Sequence, residues 1–203
     1  MFINWKTREL NLNIVYYGPA RSGKTTNLEQ IHARTQPAVR SELVTLNTRE
    51  DRTIFFDFMQ LNIGQVGGLK PKFGLYTVPG QVYYEATRAA VLQRADALVF
   101  VADSQASRLD DNIAAWRDMG QQLARLQRSL RTLPLVVQFN KRDVPDLLPV
   151  AELKTALHVG KLPVFEAVAV NGVGVPQTLQ AVIRYLLAYV QYTLKKQRTG
   201  DAQ

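Results

Sequence analysis

Apolar residues along the chain gather into short runs, separated by longer stretches in which they recur every three or four positions. The runs cover residues 12–17, 73–78, 98–102, 133–139 and 164–169. Each has the length of a strand buried on both faces, where side chains on either side meet protein rather than water. The stretches between them carry the helical period. Leu109, Ile113, Trp116, Leu123 and Leu126 fall on one face, and Ser107 stands where an N-cap is expected. Pro149, ahead of residues 150–157, suits a first helical position. Leu179, Val182, Ile183, Leu186, Val190 and Leu194 form a last stripe and predict a helix over residues 176–195.

Strand and helix thus alternate from end to end, which predicts an α/β fold: a mostly parallel sheet built by right-handed crossovers, with helices on both faces. One pair departs from the alternation. Residues 53–63 and 70–78 are joined only by GQVGGL, too short for a crossover helix, so they predict an antiparallel hairpin at one edge of the sheet. No repeat or linker interrupts the pattern, and residues 1–203 are expected to form a single domain with a flexible tail from about residue 197.

Composition narrows this picture. A hydrophobic content of 46% over 203 residues suffices for one buried core. The absence of cysteine excludes disulfides, thiolate metal sites, cysteine nucleophiles and a thiol-linked lipid anchor, and fits a reducing cytoplasm. MFINWKTREL lacks a basic region followed by an apolar run of signal length, and nowhere do eighteen apolar residues follow one another. The expectation is a soluble, cytoplasmic protein with no integral membrane segment. A net charge of +8 is compatible with nucleic acid, an anionic membrane, an acidic protein or solubility alone. The basic residues are scattered apart from Lys195, Lys196 and Arg198, and without an RNA-binding signature or recognition helix no nucleic-acid partner is expected.

Chemistry enters at GPARSGKTT, residues 18–26, between a predicted strand and a predicted helix. The pattern GxxxxGK[ST] curls backbone N–H groups around a β-phosphate at a helix N-terminus. Lys24 reaches the β and γ oxygens, and the Thr25 hydroxyl is offered to Mg²⁺. Gly18, Ala20, Arg21, Ser22, Gly23, Lys24, Thr25 and Thr26 are accordingly read as nucleotide-binding. Downstream, QFNKRDVPD closes the run at 133–139. The Asp143 carboxylate can accept two parallel hydrogen bonds from the N1–H and N2–H₂ edge of guanine, a pair of donors that adenine lacks. Asn140 can tie this loop to the phosphate loop, and Lys141 can lay its aliphatic stem over the base. A backbone contact to guanine O6 is expected near Val168 and Ala169. GTP and GDP are the ligands implied.

Between these motifs lies LYTVPGQVYYEA, with Gly80 and Gln81 at the place where small GTPases carry DxxGQ. Here the chain resembles the Ras-like superfamily, and within it the bacterial MglA-type GTPases, which act in cell polarity and surface motility. TVPGQ, REDRTIFFDF, GPARSGKTT and NKRD all look like that group, in the same order. The resemblance implies an extra N-terminal strand, residues 3–7 turning into 9–17. It also implies that Thr53 is the switch threonine that senses the γ-phosphate and binds Mg²⁺ with Thr25. Its further implications are downstream polarity or motility effectors, polar placement in the cell through partners, and a roadblock-fold (MglB-like) activating dimer bound to the GTP form.

Hydrolysis needs an oriented water and positive charge over the γ oxygens. Gln81 fits the first need. Arg21, Arg49 and Arg52 are near enough for the second, and Arg52 is chosen as a finger supplied in cis, since a hinge at Thr53 would carry it. Thr77 replaces the aspartate that usually holds Mg²⁺ through a water. Asp57, on the neighbouring strand of the hairpin, either restores that charge or faces solvent. Ala20, where many small GTPases have glycine, points to slow turnover. Two other readings remain: a P-loop kinase, for which no arginine-rich lid is visible, and a nucleotide-locked scaffold with negligible hydrolysis.

Overall fold

A computed structural model of the chain describes residues 1–46, 56–79, 85–129 and 133–200. Strand β2 (Glu9–Tyr17) shows why helices cover both faces of the sheet. Its Leu10, Leu12, Ile14 and Tyr16 enter one core with Leu28 and Ile31 of α1 (Lys24–Arg34) and Val182, Leu186 and Val190 of α5 (Val175–Gly200). Val15 and Tyr17 enter a second core with Leu92 of α2 (Glu85–Gln93), Met119 and Leu123 of α3 (Leu109–Arg125) and Leu153 of α4 (Val150–Ala156). Alternate side chains of a strand point to opposite faces, so a strand apolar at both parities must be sandwiched.

Among the described residues the sheet runs in the order β3 (Val44–Leu46), β4 (Phe56–Asn62), β5 (Lys70–Thr77), β2, β6 (Ala97–Asp103), β7 (Leu135–Asn140), β8 (Val164–Glu166). Strands β5, β2, β6, β7 and β8 are parallel; β3 and β4 are antiparallel additions. The extra N-terminal strand is β1 (Phe2–Asn4), which pairs antiparallel with the start of β2. The expected α/β fold is therefore present, with the carboxyl ends of the parallel strands together at one end. No helix among the described residues is long and apolar enough to cross a membrane.

Several local features differ from the expectation. The hairpin forms, with Phe58 opposite Tyr76, but β3 adds outside β4 and becomes the outer strand. The strand at 164–169 stops at Glu166, because Ala169–Asn171 winds into a 3₁₀ turn that returns towards α1. There Gln30 donates to the Val170 carbonyl at 3.0 Å and Arg34 to the Asn171 carbonyl at 2.6 Å. Ser107 does not cap α3. It lies inside a 3₁₀ turn, Ala106–Arg108, and Arg108 takes the N-cap position without a side-chain cap. Asp110 and Asp111 occupy the first turn instead, where negative charge meets the helix dipole. Pro149 is the N-cap of α4 rather than its first residue, and α5 continues past Lys195 to Gly200.

A buried polar tie fixes α1 against the sheet. Asn27 and Gln138 exchange hydrogen bonds of 2.8 and 2.9 Å, and Gln138 donates to Thr178 Oγ1 at 2.9 Å, joining α1, β7 and α5. All three side chains are fully buried, so each depends on the others to avoid an unsatisfied group.

Candidate nucleotide site

Strand β2 ends at Tyr17 and α1 begins at Lys24, so residues 18–23 turn at the carboxyl end of the sheet. Two glycines are required there by contact. At Gly18 a Cβ would sit 2.1 Å from the Val101 carbonyl oxygen of β6. At Gly23, left-handed with φ 99°, it would sit 2.2 Å from Asn140 Nδ2. No side chain caps α1, and its first turn holds no acidic residue. Its leading N–H groups and the dipole therefore favour an anion. Ser22 Oγ is buried and has no partner among the described residues.

Lys24 is only 6% exposed, and its ammonium donates to the carbonyls of Gly18 at 3.0 Å and Pro19 at 2.7 Å. Burial pushes it down to about 7, with the Asp57 carboxylate pulling the other way. A cation this poorly hydrated is well matched to a phosphate oxygen.

Asp57 turns inward at 5% exposure rather than facing solvent. Its Oδ2 accepts hydrogen bonds from Thr25 Oγ1 at 2.6 Å and Thr77 Oγ1 at 2.8 Å, and its Oδ1 accepts one from Thr45 Oγ1 at 2.9 Å. The Asp57 N–H donates to Thr77 Oγ1 at 2.8 Å. A carboxylate on β4 thus stands beside Thr77 of β5. The Thr25 proton is directed to Asp57, which leaves the hydroxyl's lone pairs for a hard cation.

On the other side of the loop, a cavity of about 210 Å³ is lined by Arg21, Gly23, Thr26, Asn140, Lys141, Asp143, Val144, Ala169 and Val170. Asn140 is the tether the spacing implied. It donates to the Ser22 carbonyl at 2.8 Å and accepts from the Ala169 N–H at 2.8 Å, so one side chain joins three loops. Lys141, in a left-handed conformation with φ 63°, places its ammonium 2.6 Å from Asp103 Oδ2. Asp143 stands on the cavity wall. The structure brings these residues together with the phosphate loop. Val168 does not line the cavity; its backbone pairs with Val173. Arg49, Arg52, Thr53, Gly80 and Gln81 lie outside the described residues.

Sequence reasoning missed several participants. Val170 and Val144 supply apolar walls to the cavity. The buried carboxylate of Asp103 holds Lys141. Arg108 Nη2 donates to the Ala20 carbonyl at 2.8 Å, gripping the phosphate loop from α3, and pairs with Asp111. Thr45 completes the ring of hydroxyls at Asp57. A larger cavity of about 330 Å³ lies between Tyr17, Pro19, Ala20 and the α2–α3 pair. No residue of α1 lines it, so its size is no argument for the phosphates.

The family described as the Gtr1/RagA G protein conserved region matches residues 13–145. The mutual gliding-motility protein MglA of Myxococcus xanthus is 46% identical over 186 residues, covering 92% of this chain and 95% of that protein. ADP-ribosylation factor-like protein 6 of Caenorhabditis briggsae and of Caenorhabditis elegans are each 23% identical over 190 residues, covering 89% of this chain and 90% of theirs.

Removing the tether tests this geometry. Asn140→Ala leaves the Ser22 carbonyl and the Ala169 N–H without their partner, and amide exchange across residues 18–26 should accelerate by roughly tenfold or more. Hydrogen exchange read by mass spectrometry checks this. Unchanged protection would show that the phosphate loop holds its shape alone.

Proposed function

The chain belongs to the small G proteins, within their bacterial MglA type, and on that premise we propose that it is a GTP-controlled switch that hydrolyses GTP to GDP and phosphate. The observation that carries the proposal is the Asn140 tether, which sets a cavity bearing Asp143 and Lys141 directly beside a phosphate loop. Asp143 is the guanine reader. The base lies between the Lys141 stem and Val170, with the backbone near Ala169 towards O6. The β and γ phosphates lie over the α1 N-terminus against Lys24.

Mg²⁺ fits the hydroxyl and carboxylate donors present: Thr25 and Thr53 would hold it, Asp57 would support it from β4, and once bound it would supply positive charge towards the β and γ oxygens. Gln81 orients the attacking water, and Arg52 supplies positive charge in cis. Ala20 crowds the loop, and turnover unaided is slow. A roadblock-fold dimer binds the GTP form at the β4–β5 hairpin and the helix after Gln81, and raises the population in which Arg52 and Gln81 are aligned. Partner and GTP then strengthen each other's binding by one factor. The name of the Myxococcus relative supports a place in surface motility, with this chain acting as one domain in the cytoplasm and sent to a pole by its partners.

Two measurements test the reading. Asp143→Asn exchanges an acceptor oxygen for donor atoms, so affinity should fall for GTP and rise for xanthosine triphosphate, whose base carries an oxygen in place of the amine. Competition binding checks this, and equal affinity of the native chain for ATP and GTP would contradict it. Arg52→Ala and Gln81→Leu should bind GTP normally and slow single-turnover hydrolysis by about three decades. Native turnover in the Arg52 variant would move the cation's role elsewhere.

A further inference from the structure

The end of the sheet opposite the nucleotide site carries exposed rings set among cations. Strands β2, β5 and β6 begin there, and the C-terminal half of α5 reaches it. Trp5 in the turn after β1 is 70% exposed, Phe2 on β1 is 64% and Tyr192 on α5 is 66%. All three lie towards this end of the molecule, where β1 turns into β2 and α5 finishes. Met1, Tyr189 and Thr193 line a single cavity of about 280 Å³ with Asp96 and Leu133, which precede β6 and β7. Ile3 and Leu194 pack on the same core.

Around these rings Lys6 and Arg8 are exposed in the β1–β2 turn, and Lys70 is exposed at the start of β5. The Lys70 N–H donates to the Arg8 carbonyl at 2.7 Å, which holds two of the three cations side by side. Lys195 and Lys196 are exposed on α5. The carboxylates at this end are already engaged. Glu9 is held by Lys72 at 2.7 Å, and Asp96 accepts from the Asn13 N–H at 2.8 Å and from the Met1 amine. Among the described residues, Lys6, Arg8 and Lys70 make no ion pair, so the pole presents net positive charge.

Single exposed apolar residues are ordinary on a protein surface. Tryptophan, phenylalanine and tyrosine all exposed at the one end that also carries Lys6, Arg8 and Lys70 are not. Amphipathic rings are most stable at the headgroup level of a bilayer, and each lysine or arginine held near an anionic leaflet strengthens binding by about fivefold. We propose that this pole docks reversibly on an anionic phospholipid surface. Trp5, Phe2 and Tyr192 enter the headgroup layer, and Lys6, Arg8 and Lys70 meet lipid phosphates. Tyr185, about 10 Å further along α5 from Tyr192, stays above it. The nucleotide site then faces away from the membrane, open to partners.

The experiment is flotation of the full chain with vesicles of phosphatidylcholine alone, and with about one-third phosphatidylserine, at low and high salt. Binding to the anionic vesicles should be at least about tenfold stronger and should fall with salt. Lys6→Glu with Arg8→Glu should abolish that preference, and Trp5→Ser should weaken binding to both vesicle types. These variants lie far from the nucleotide site and should retain nucleotide like the native chain, which confirms that they fold. Equal binding to both vesicle types, or anionic binding that survives both variants, would overturn the proposal. So would bare vesicles alongside tight binding of single-stranded RNA at the same salt, which would make this a nucleic-acid surface.

Discussion

Three hydroxyls from three elements converge on the carboxylate of Asp57, and the nucleotide end of the molecule is organised around that convergence. A charge this deeply buried is costly unless its oxygens are hydrogen-bonded, and here Thr25, Thr45 and Thr77 supply the bonds. Hydrogen bonds to a charged group contribute roughly 1.5–3 kcal/mol each, so the first turn of α1 is tied to β3, β4 and β5 through one side chain. The chemistry follows from the same contacts. Thr77 on β5 donates to a carboxylate that comes from the adjacent strand, a lateral step of about 4.8 Å.

The arrangement places the phosphate loop between two kinds of restraint. Behind it, Asn140 ties Ser22 to Ala169, Arg108 holds the Ala20 carbonyl, and the Asn27–Gln138–Thr178 set locks α1 to β7 and α5. Apart from Arg108, these contacts use short, buried side chains on regular elements. In front of it, the contacts come from β3 and β4, the strands that flank residues 47–55. Thr45 lies just before that segment and Asp57 just after it, and both engage the carboxylate site. A change of ligand at Thr25 therefore acts directly on both ends of the stretch that carries Arg52 and Thr53. In the proposed reading, the base side of the site is scaffold and the metal side is where a switch would be biased.

How much of this was legible in the sequence depended on how local each feature was. The phosphate loop could be read because its glycines, lysine and threonines are contiguous and the turn requires them; the contacts at Gly18 and Gly23 show why. Asn140 and Asp143 could be read because a short motif sits at a strand end. Strand β3 could not, since three residues carry no period. Arg108 and Asp103 act on partners dozens of residues away, and nothing in their own neighbourhood marks them. Val170 and Thr45 look like ordinary surface residues until the fold brings them to the cavity and to Asp57. Ser107 and Pro149 show propensity overridden by backbone geometry: a 3₁₀ turn moves the start of α3 one residue past the hydroxyl, and Pro149 takes the cap itself. Asp57 had two readings with equal support, and its burial among three hydroxyls brought in by the fold excludes the one in which it faces solvent.

The account stands on Asp57 acting in place of the missing aspartate, and moving the charge back across the sheet tests it most directly. The quantity to measure is the rate of GDP release with Mg²⁺ and with a chelator, in the native chain, in Asp57→Thr and in Asp57→Thr combined with Thr77→Asp. The native chain should release GDP much faster once Mg²⁺ is removed. Asp57→Thr should release it fast in both conditions, and the double variant should recover the difference. Undiminished Mg²⁺ dependence in Asp57→Thr would contradict the account and leave the Asp57 carboxylate a purely structural anchor for α1.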